Sequence, residues 1–276
     1  PADKKLYSIR DVVGTVESLP LITSSILSKK IASGLSSLVL DVKVGNGSFN
    51  STIDIARDLS NSLVRVAKGA GLHCEAILTD MNQVLGKSAG HTLEILECIK
   101  YIKNDFKDHR LEKITNELIS SLLVNIYKIS KEEAYNKINT VINNGLAAEK
   151  FEMMVAALGG PRNILSSFEK DLINTSVRKD VFCNEEGWIE KIHTRELGLI
   201  LIELGGGRKQ VTDKIDYGVG YDNVLNIGDE VNSSTALLSL YSSKNIDDNL
   251  IDKIKGCFII SDKKTQKLSE IFETIN

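Results

Sequence analysis

The chain has 276 residues, of which 42% are apolar and 26% are charged, and its formal net charge is −3. That length can hold more than one compact unit, and the composition is ordinary for a soluble protein. The slightly acidic balance argues against bulk binding to nucleic acids or anionic membranes, because both attract proteins with a basic surplus.

The first notable stretch runs from Leu6 to Gly34. Its first half predicts an extended segment in which Arg10 and Asp11 stand side by side. Residues 18–33 predict a helix, since a glycine follows the last helical position and proline occurs only in the first turn.

Two polar residues of this helix, Ser25 and Lys29, lie one turn apart at the border of the apolar face that Ile22 and Ile26 form. A lysine at an apolar border, close to an Arg–Asp pair, predicts a site that handles an anion. One alternative is that Lys29 only lays its aliphatic stem along the surface. Another is a serine hydrolase in which Lys29 is the base for Ser25, although no nucleophile turn or oxyanion hole is evident.

Residues 37–44 are almost continuously apolar, which predicts a strand covered on both faces, as in a parallel sheet. A helix from Thr52 to about Lys68, capped by Ser51, and a second buried strand over residues 72–79 complete a βαβ unit. The glycine turn Gly45–Gly47 is interpreted as structural, because such turns are common without a ligand.

A polar loop, residues 80–90, follows the second strand at the end where open α/β sheets bind ligands. A helix from about His91 to Ile102 comes next, and residues 110–159 are predicted to be helical with breaks near Ser130 and at Asn143–Gly145. Ser130 followed by Glu133 three residues later predicts a capping box at the start of one of these helices. Within that section we expect Met153 and Met154 to fill the core.

From about residue 176 onward the sequence changes to short β runs and turns, which predict a compact α+β module. One helix, Thr194–Leu204, interrupts them. The Gly-rich segment Gly205–Arg208 is interpreted as a helix stop, because the dipole at a helix C-terminus disfavours an anion. A strand over residues 257–261 and a final helix are expected to end the chain.

The predicted fold is therefore of the α/β class. Residues 1–34 are the remainder of a small helical domain, residues 35–175 form a larger α/β domain, and residues 176–276 form the C-terminal α+β module. The four cysteines, which are far apart, are typical of reduced thiols, so the predicted location is the cytoplasm.

The segments Tyr7–Val12 and Thr15–Lys30 closely resemble the pyrimidine-binding segment of thymidine phosphorylases and the related pyrimidine-nucleoside phosphorylases. The resemblance covers nearly the whole chain and continues in the family's order through Leu40–Gly47, Thr79–Gln83, Asn144–Glu149 and Gly205–Arg208. The family's N-terminal portion carries a Lys-His-Ser-Thr-Gly-Gly phosphate segment that this sequence lacks. We therefore expect this chain to be a fragment that is inactive by itself.

The resemblance implies a pentosyltransferase that converts thymidine and phosphate into thymine and 2-deoxyribose 1-phosphate in pyrimidine salvage. It places substrate binding on Arg10, Ser25 and Lys29. Arg10 and Lys29 would also be catalytic, because cationic donors stabilise the negative charge that grows on the departing base. Asp11 would orient Arg10 or the sugar. The alternative interpretation is that Asp11 only forms a local ion pair.

The chemical step itself needs no metal or organic cofactor. Some pyrimidine-nucleoside phosphorylases hold a potassium ion, and by resemblance its ligands would be the carbonyls of Leu85 and Ser88 and the carboxylate of Glu97, since hard cations prefer oxygen. The alternative is a loop closed by its own hydrogen bonds beside a solvated glutamate.

The expected partners are thymidine or thymine, phosphate held mostly by the family's N-terminal portion, and a second copy of the chain in a homodimer. Neither nucleic acid nor a membrane is expected. Two alternative functions stay open: a broader pyrimidine-nucleoside phosphorylase that also uses uridine, and a non-catalytic truncated fragment.

Overall fold

The computed structural model describes residues 18–172, 177–210 and 212–276. The first described element is helix α1 (Leu19–Ala32), which confirms the helix predicted over residues 18–33. Gly34 follows it with a φ of 67°, a left-handed backbone that glycine adopts without strain. Arg10 and Asp11 lie outside the described residues.

The predicted βαβ unit is confirmed. Strand β1 (Ser37–Val44) pairs in parallel with β2 (His73–Asp80), and helix α2 (Ile53–Gly69) connects them. The N-cap of α2 is Thr52, whose side chain accepts a hydrogen bond from the first turn, so the predicted cap at Ser51 is wrong by one residue. Apolar side chains of both strands and α2 form one core, because the helix covers the sheet as in other parallel sheets.

A layer of five helices comes after β2. They are α3 (His91–Ile102), α4 (His109–Tyr127), α5 (Lys131–Asn143), α6 (Leu146–Ala157) and α7 (Ile164–Leu172). The last of them lies beyond the predicted end of the helical section at residue 159. The expectation that Met153 and Met154 fill the core is wrong, since both are about half exposed on α6.

The C-terminal part contains six described strands: β3 (Val177–Phe182), β4 (Gly187–Ile192), β5 (Gly220–Asp222), β6 (Glu230–Val231), β7 (Ala236–Ser242) and β8 (Phe258–Ser261). They form two antiparallel three-stranded sheets with the strand orders β3-β7-β5 and β6-β4-β8. Helix α8 (Thr194–Leu204), which has the predicted bounds, and α9 (Asp248–Lys255) pack with these sheets on one shared apolar core.

The end of the chain differs from its prediction. In place of a final helix, strand β9 (Ile271–Ile275) pairs antiparallel with β2 and completes a sheet with the order β1-β2-β9. Its side chains alternate between half-buried and exposed, which is the period of a strand. The α/β fold class is confirmed, while the domain boundaries at residues 34 and 175 stay predictions. None of the described helices has both the length and the apolar character needed to cross a membrane.

Candidate functional site

The two predicted site residues of α1 lie together. The ammonium of Lys29 donates a hydrogen bond to the Ser25 hydroxyl at 3.3 Å, as their spacing of one helical turn allows. Lys29 is exposed and Ser25 is half-buried. A lysine that acts as a general base is normally buried, so this exposure favours a donor to an anionic group over the base of a hydrolase.

Helix α1 is held against α2 by one face. Thr23 and Leu27 are its buried residues, and the Thr23 hydroxyl lies 3.0 Å from that of Ser62 on α2. Ile22 and Ile26, which the sequence placed on the apolar face, are half-buried. The contacts therefore anchor the helix, while Lys29 stays at the surface.

The loop after β2 wraps around a buried carboxylate. Glu97 on α3 is 9% exposed, and its Oε1 accepts a hydrogen bond from the Lys87 backbone N–H at 2.7 Å. Its Oε2 accepts from the Ser88 backbone N–H at 3.1 Å and also from the Ser88 hydroxyl. Burial raises the pKa of the Glu97 carboxyl, and these three donors oppose that rise by favouring the charged form.

The observed geometry can be compared with the two interpretations of the loop, as a potassium site or as a loop closed by its own hydrogen bonds. The loop is closed by its own hydrogen bonds, as the alternative expected, but Glu97 is buried and not solvated. In the part of the chain that the structure describes, the carbonyl oxygens of Leu85 and Ser88 accept no hydrogen bond. Carbonyl and carboxylate oxygens are the ligand atoms that a hard monovalent cation prefers, so the chemistry of these three residues suits potassium.

A second charged group, which the sequence analysis missed, lies at the end of β2. Asp80 is fully buried, and its Oδ2 lies 3.1 Å from Nη2 of Arg110 in the first turn of α4. Arg110 is also buried. The available sequence signal was a basic residue at a helix N-terminus, where the dipole disfavours a cation, but the sequence did not identify its partner.

The glycine turn after β1 makes structural contacts. Asn46 donates its backbone N–H to Oδ1 of Asn82 at 3.1 Å and its side-chain amide to the Ile192 carbonyl at 3.0 Å. A Cβ on Gly45, whose φ is 133°, would lie 2.7 Å from Asn82, so the close approach requires glycine. The turn therefore joins the α/β sheet to the end of β4.

The glycines after α8 also have a structural role. Gly205 has a φ of 105° and ends the helix in a left-handed conformation. Arg208 donates its Nε to the Asp213 carbonyl at 3.3 Å, which folds the segment back on itself. These contacts agree with the interpretation of this segment as a helix stop.

A cavity of about 490 Å³ opens at the carboxyl ends of β1 and β2, where α/β sheets bind ligands. Its walls include Lys43, Phe49, Met81, Leu85, Ser88 and Thr194. The ammonium of Lys43 is 2.7 Å from the Asp41 carboxylate and donates to the Thr79 hydroxyl at 3.0 Å. A larger cavity of about 910 Å³ among α3, α4 and α5 is mostly apolar and contains none of the predicted site residues.

The sequence was compared with known proteins and families. Residues 1–148 match the family described as glycosyl transferase family, a/b domain, and residues 188–261 match the pyrimidine nucleoside phosphorylase C-terminal domain. A thymidine phosphorylase from Colwellia psychrerythraea is 47% identical over 243 residues, which cover 88% of this chain and 56% of the relative. The chain thus spans about half the length of this curated relative.

Proposed function

Because this chain belongs to the family of thymidine phosphorylases and pyrimidine-nucleoside phosphorylases, we propose that it forms part of a thymidine phosphorylase. The reaction is the reversible phosphorolysis of thymidine to thymine and 2-deoxyribose 1-phosphate. The observation that carries the proposal is the Ser25–Lys29 pair on α1, within a long match to a thymidine phosphorylase.

In this reaction a phosphate oxygen forms a bond to C1′ of the sugar while the bond from C1′ to N1 of the base breaks. The electron pair of the broken bond passes to the base, so negative charge grows on the pyrimidine ring and its oxygens. A cationic donor aimed at those oxygens stabilises the transition state more than the ground state. We assign this role to Lys29 and Arg10, and the pairing with the imide edge of the ring to Ser25. Asp11 would orient Arg10 or the sugar.

The contacts to phosphate belong, in this proposal, to the family's N-terminal portion. The proposed potassium ligands are the carbonyls of Leu85 and Ser88 and the carboxylate of Glu97. A bound cation would neutralise the buried carboxylate and so stabilise the closed form of the loop. The chemical step does not pass through it.

The experiment compares Lys29→Ala with Lys30→Ala, a matched control because Lys30 is the exposed neighbour on the same helix. Each variant is expressed joined to the N-terminal portion of the relative compared above, and thymidine phosphorolysis is measured. We expect Lys29→Ala to lower kcat/KM about 100- to 1,000-fold, the size typical for the loss of an electrostatic donor. Lys30→Ala should keep wild-type turnover. Equal turnover in both variants would refute the role of Lys29.

A second candidate is a pyrimidine-nucleoside phosphorylase that also uses uridine, which the match of residues 188–261 supports. The same assay with uridine in place of thymidine separates the two, because comparable kcat/KM values would favour the broader enzyme. A non-catalytic fragment is the third outcome. Calorimetry of this chain with thymine distinguishes a fragment that binds the base from one that is inert.

The proposed assembly is a homodimer through α1. Three apolar side chains near its ends, Leu19, Leu21 and Ile31, are 36–43% exposed, and in this proposal the second copy covers them. We propose the cytoplasm as the location, because all four cysteines are free and three of them are buried. Light scattering of the wild type and Leu21→Glu measures the assembly, and a wild-type monomer would contradict it.

A further inference from the structure

The carboxylate of Asp80, the last residue of β2, accepts four hydrogen bonds from three residues. Its Oδ1 accepts from the backbone N–H of Asn82 at 3.0 Å and from the side-chain amide of the same residue at 2.8 Å. Its Oδ2 accepts from the Gln83 amide at 3.1 Å and from the Arg110 guanidinium at 3.1 Å. A fully buried carboxylate needs such partners, because an unpaired buried charge is costly.

Arg110 supplies the only one of these donors that comes from outside the strand and its loop. It stands in the first turn of α4, behind the N-cap Asp108, where the helix dipole opposes a cation. Its side chain is 6% exposed and also donates to the Asp80 carbonyl at 3.4 Å. The position is therefore explained by the ion pair with Asp80 and not by the helix itself.

The residues that Asp80 orients hold the loop against the C-terminal part. The Gln83 side chain, 1% exposed, accepts a hydrogen bond from the Ile227 backbone N–H at 2.9 Å with its Oε1. The Asn82 carbonyl accepts from the Thr194 hydroxyl at 2.8 Å. The Gln83 amide thus donates to the Asp80 carboxylate with its nitrogen and accepts from the C-terminal part with its oxygen. Its orientation therefore depends on the position of Asp80.

We propose that Arg110 is a positioning residue: by fixing Asp80, it sets the conformation of residues 81–90, which present the proposed cation ligands. The inference rests on the cation site proposed above. Without the guanidinium, Asp80 loses its charged partner and turns toward water, and Asn82 and Gln83 lose their common acceptor. The loop then samples open conformations, and its hydrogen bonds from Lys87 and Ser88 to Glu97 break more often. Outer partners of this kind typically change metal affinity about 10- to 100-fold.

The first test is hydrogen exchange of the 276-residue chain, which needs no ligand. Peptides from residues 81–90 should exchange at least about tenfold faster in Arg110→Met than in the wild type, with Arg110→Lys in between. Lys113→Met is the matched control, because Lys113 lies one turn further along α4 and pairs with Glu270 at a more exposed site. Should Arg110→Met fail to fold, Gln83→Met keeps the ion pair and removes only the two hydrogen bonds of the Gln83 amide, to Asp80 and from Ile227. It must then give the same local change.

The second test measures cation affinity, which a general loss of stability would not change. Thermal unfolding is followed in KCl and in choline chloride of equal ionic strength. We expect Arg110→Met to need about 10- to 100-fold more potassium for half of the specific stabilisation. If the wild-type unfolding temperature is the same in KCl and in choline chloride, the cation site is refuted. The exchange experiment alone then tests the positioning role of Arg110. The inference is overturned by unchanged exchange in a folded Arg110→Met variant, by unchanged exchange in Gln83→Met where Arg110→Met does not fold, or by unchanged potassium affinity.

Discussion

Two glycines of this chain should respond in opposite ways to the same substitution. A Cβ at Gly86 would lie 2.4 Å from Oε1 and 2.7 Å from the carboxyl carbon of Glu97. Ordinary contact distances are about 3.5 Å, so the overlap is about 1 Å. Glu97 has no room to retreat, because it is buried and accepts backbone hydrogen bonds from the same loop. We expect Gly86→Ala to lower the free energy of unfolding by about 1–3 kcal/mol, the usual cost of overpacking.

Gly198 is the matched control. It lies inside α8 at an exposed position, and an added Cβ would meet no atom within 4 Å. Alanine is the better helix former, so Gly198→Ala should raise the free energy of unfolding by about 0.5–1 kcal/mol.

The assay for both variants is urea unfolding followed by the fluorescence of Trp188, the only tryptophan in the chain. An unchanged slope with urea concentration and a shifted midpoint would show that stability alone has changed. If Gly86→Ala were as stable as the wild type while Gly198→Ala behaved as expected, the loop would not be packed against Glu97. The fit of the loop as a cation site would then be wrong as well.

Two further predictions test other parts of the described structure. Ser130 caps α5 and forms a capping box with Glu133, so Ser130→Ala should cost about 1 kcal/mol of unfolding free energy in urea. The hydrogen bonds from the Ser130 backbone and hydroxyl lower the pKa of Glu133. They stabilise the folded chain above pH 4.5, where Glu133 is charged, and this stabilisation is lost as the pH falls. The loss of unfolding free energy in Ser130→Ala should therefore be smaller in acid. With a thiol reagent, the exposed Cys98 should be the only fast-reacting cysteine of the native chain, and Cys98→Ser should abolish that phase. Although Cys98 is exposed at the surface, the protein atoms around its thiol partly desolvate it, and the charges of Glu97 and Glu94 add to this effect, so the pKa of the Cys98 thiol is raised above its ordinary value of 9.0. The rate should therefore still be rising at about pH 9.

The elements that the sequence predicted well are those fixed by local pattern. Helix α8 has the predicted bounds, because its apolar period and the glycine that ends it lie within the segment itself. The capping box at Ser130 is confirmed for the same reason. Strand β9 was missed because its partner β2 lies about 200 residues earlier, and five residues with two apolar positions on one face are too few to exclude a helix.

The same distinction between local and long-range contacts applies to the candidate site. Ser25 and Lys29 are one turn apart on one helix, so their contact could be predicted from spacing alone. The partners of Asp80 could not, because Arg110 comes from a separate helix and Ile227 from the C-terminal part. The burial of Glu97 was missed too, since the loop that covers it has an unremarkable polar composition.

The contacts of the loop also change the interpretation of the C-terminal part. Val84 belongs to the same apolar core as the C-terminal sheets, and Ala89 forms a β-bridge with Tyr221 of β5. Together with the bond between Gln83 and Ile227, these contacts fasten both ends of the loop to that part of the chain. Loops are usually more mobile than the elements that they connect, because few buried contacts support them. Here the C-terminal part supplies the missing support, so its role in the proposed site is to hold the loop in place without contributing a reacting group.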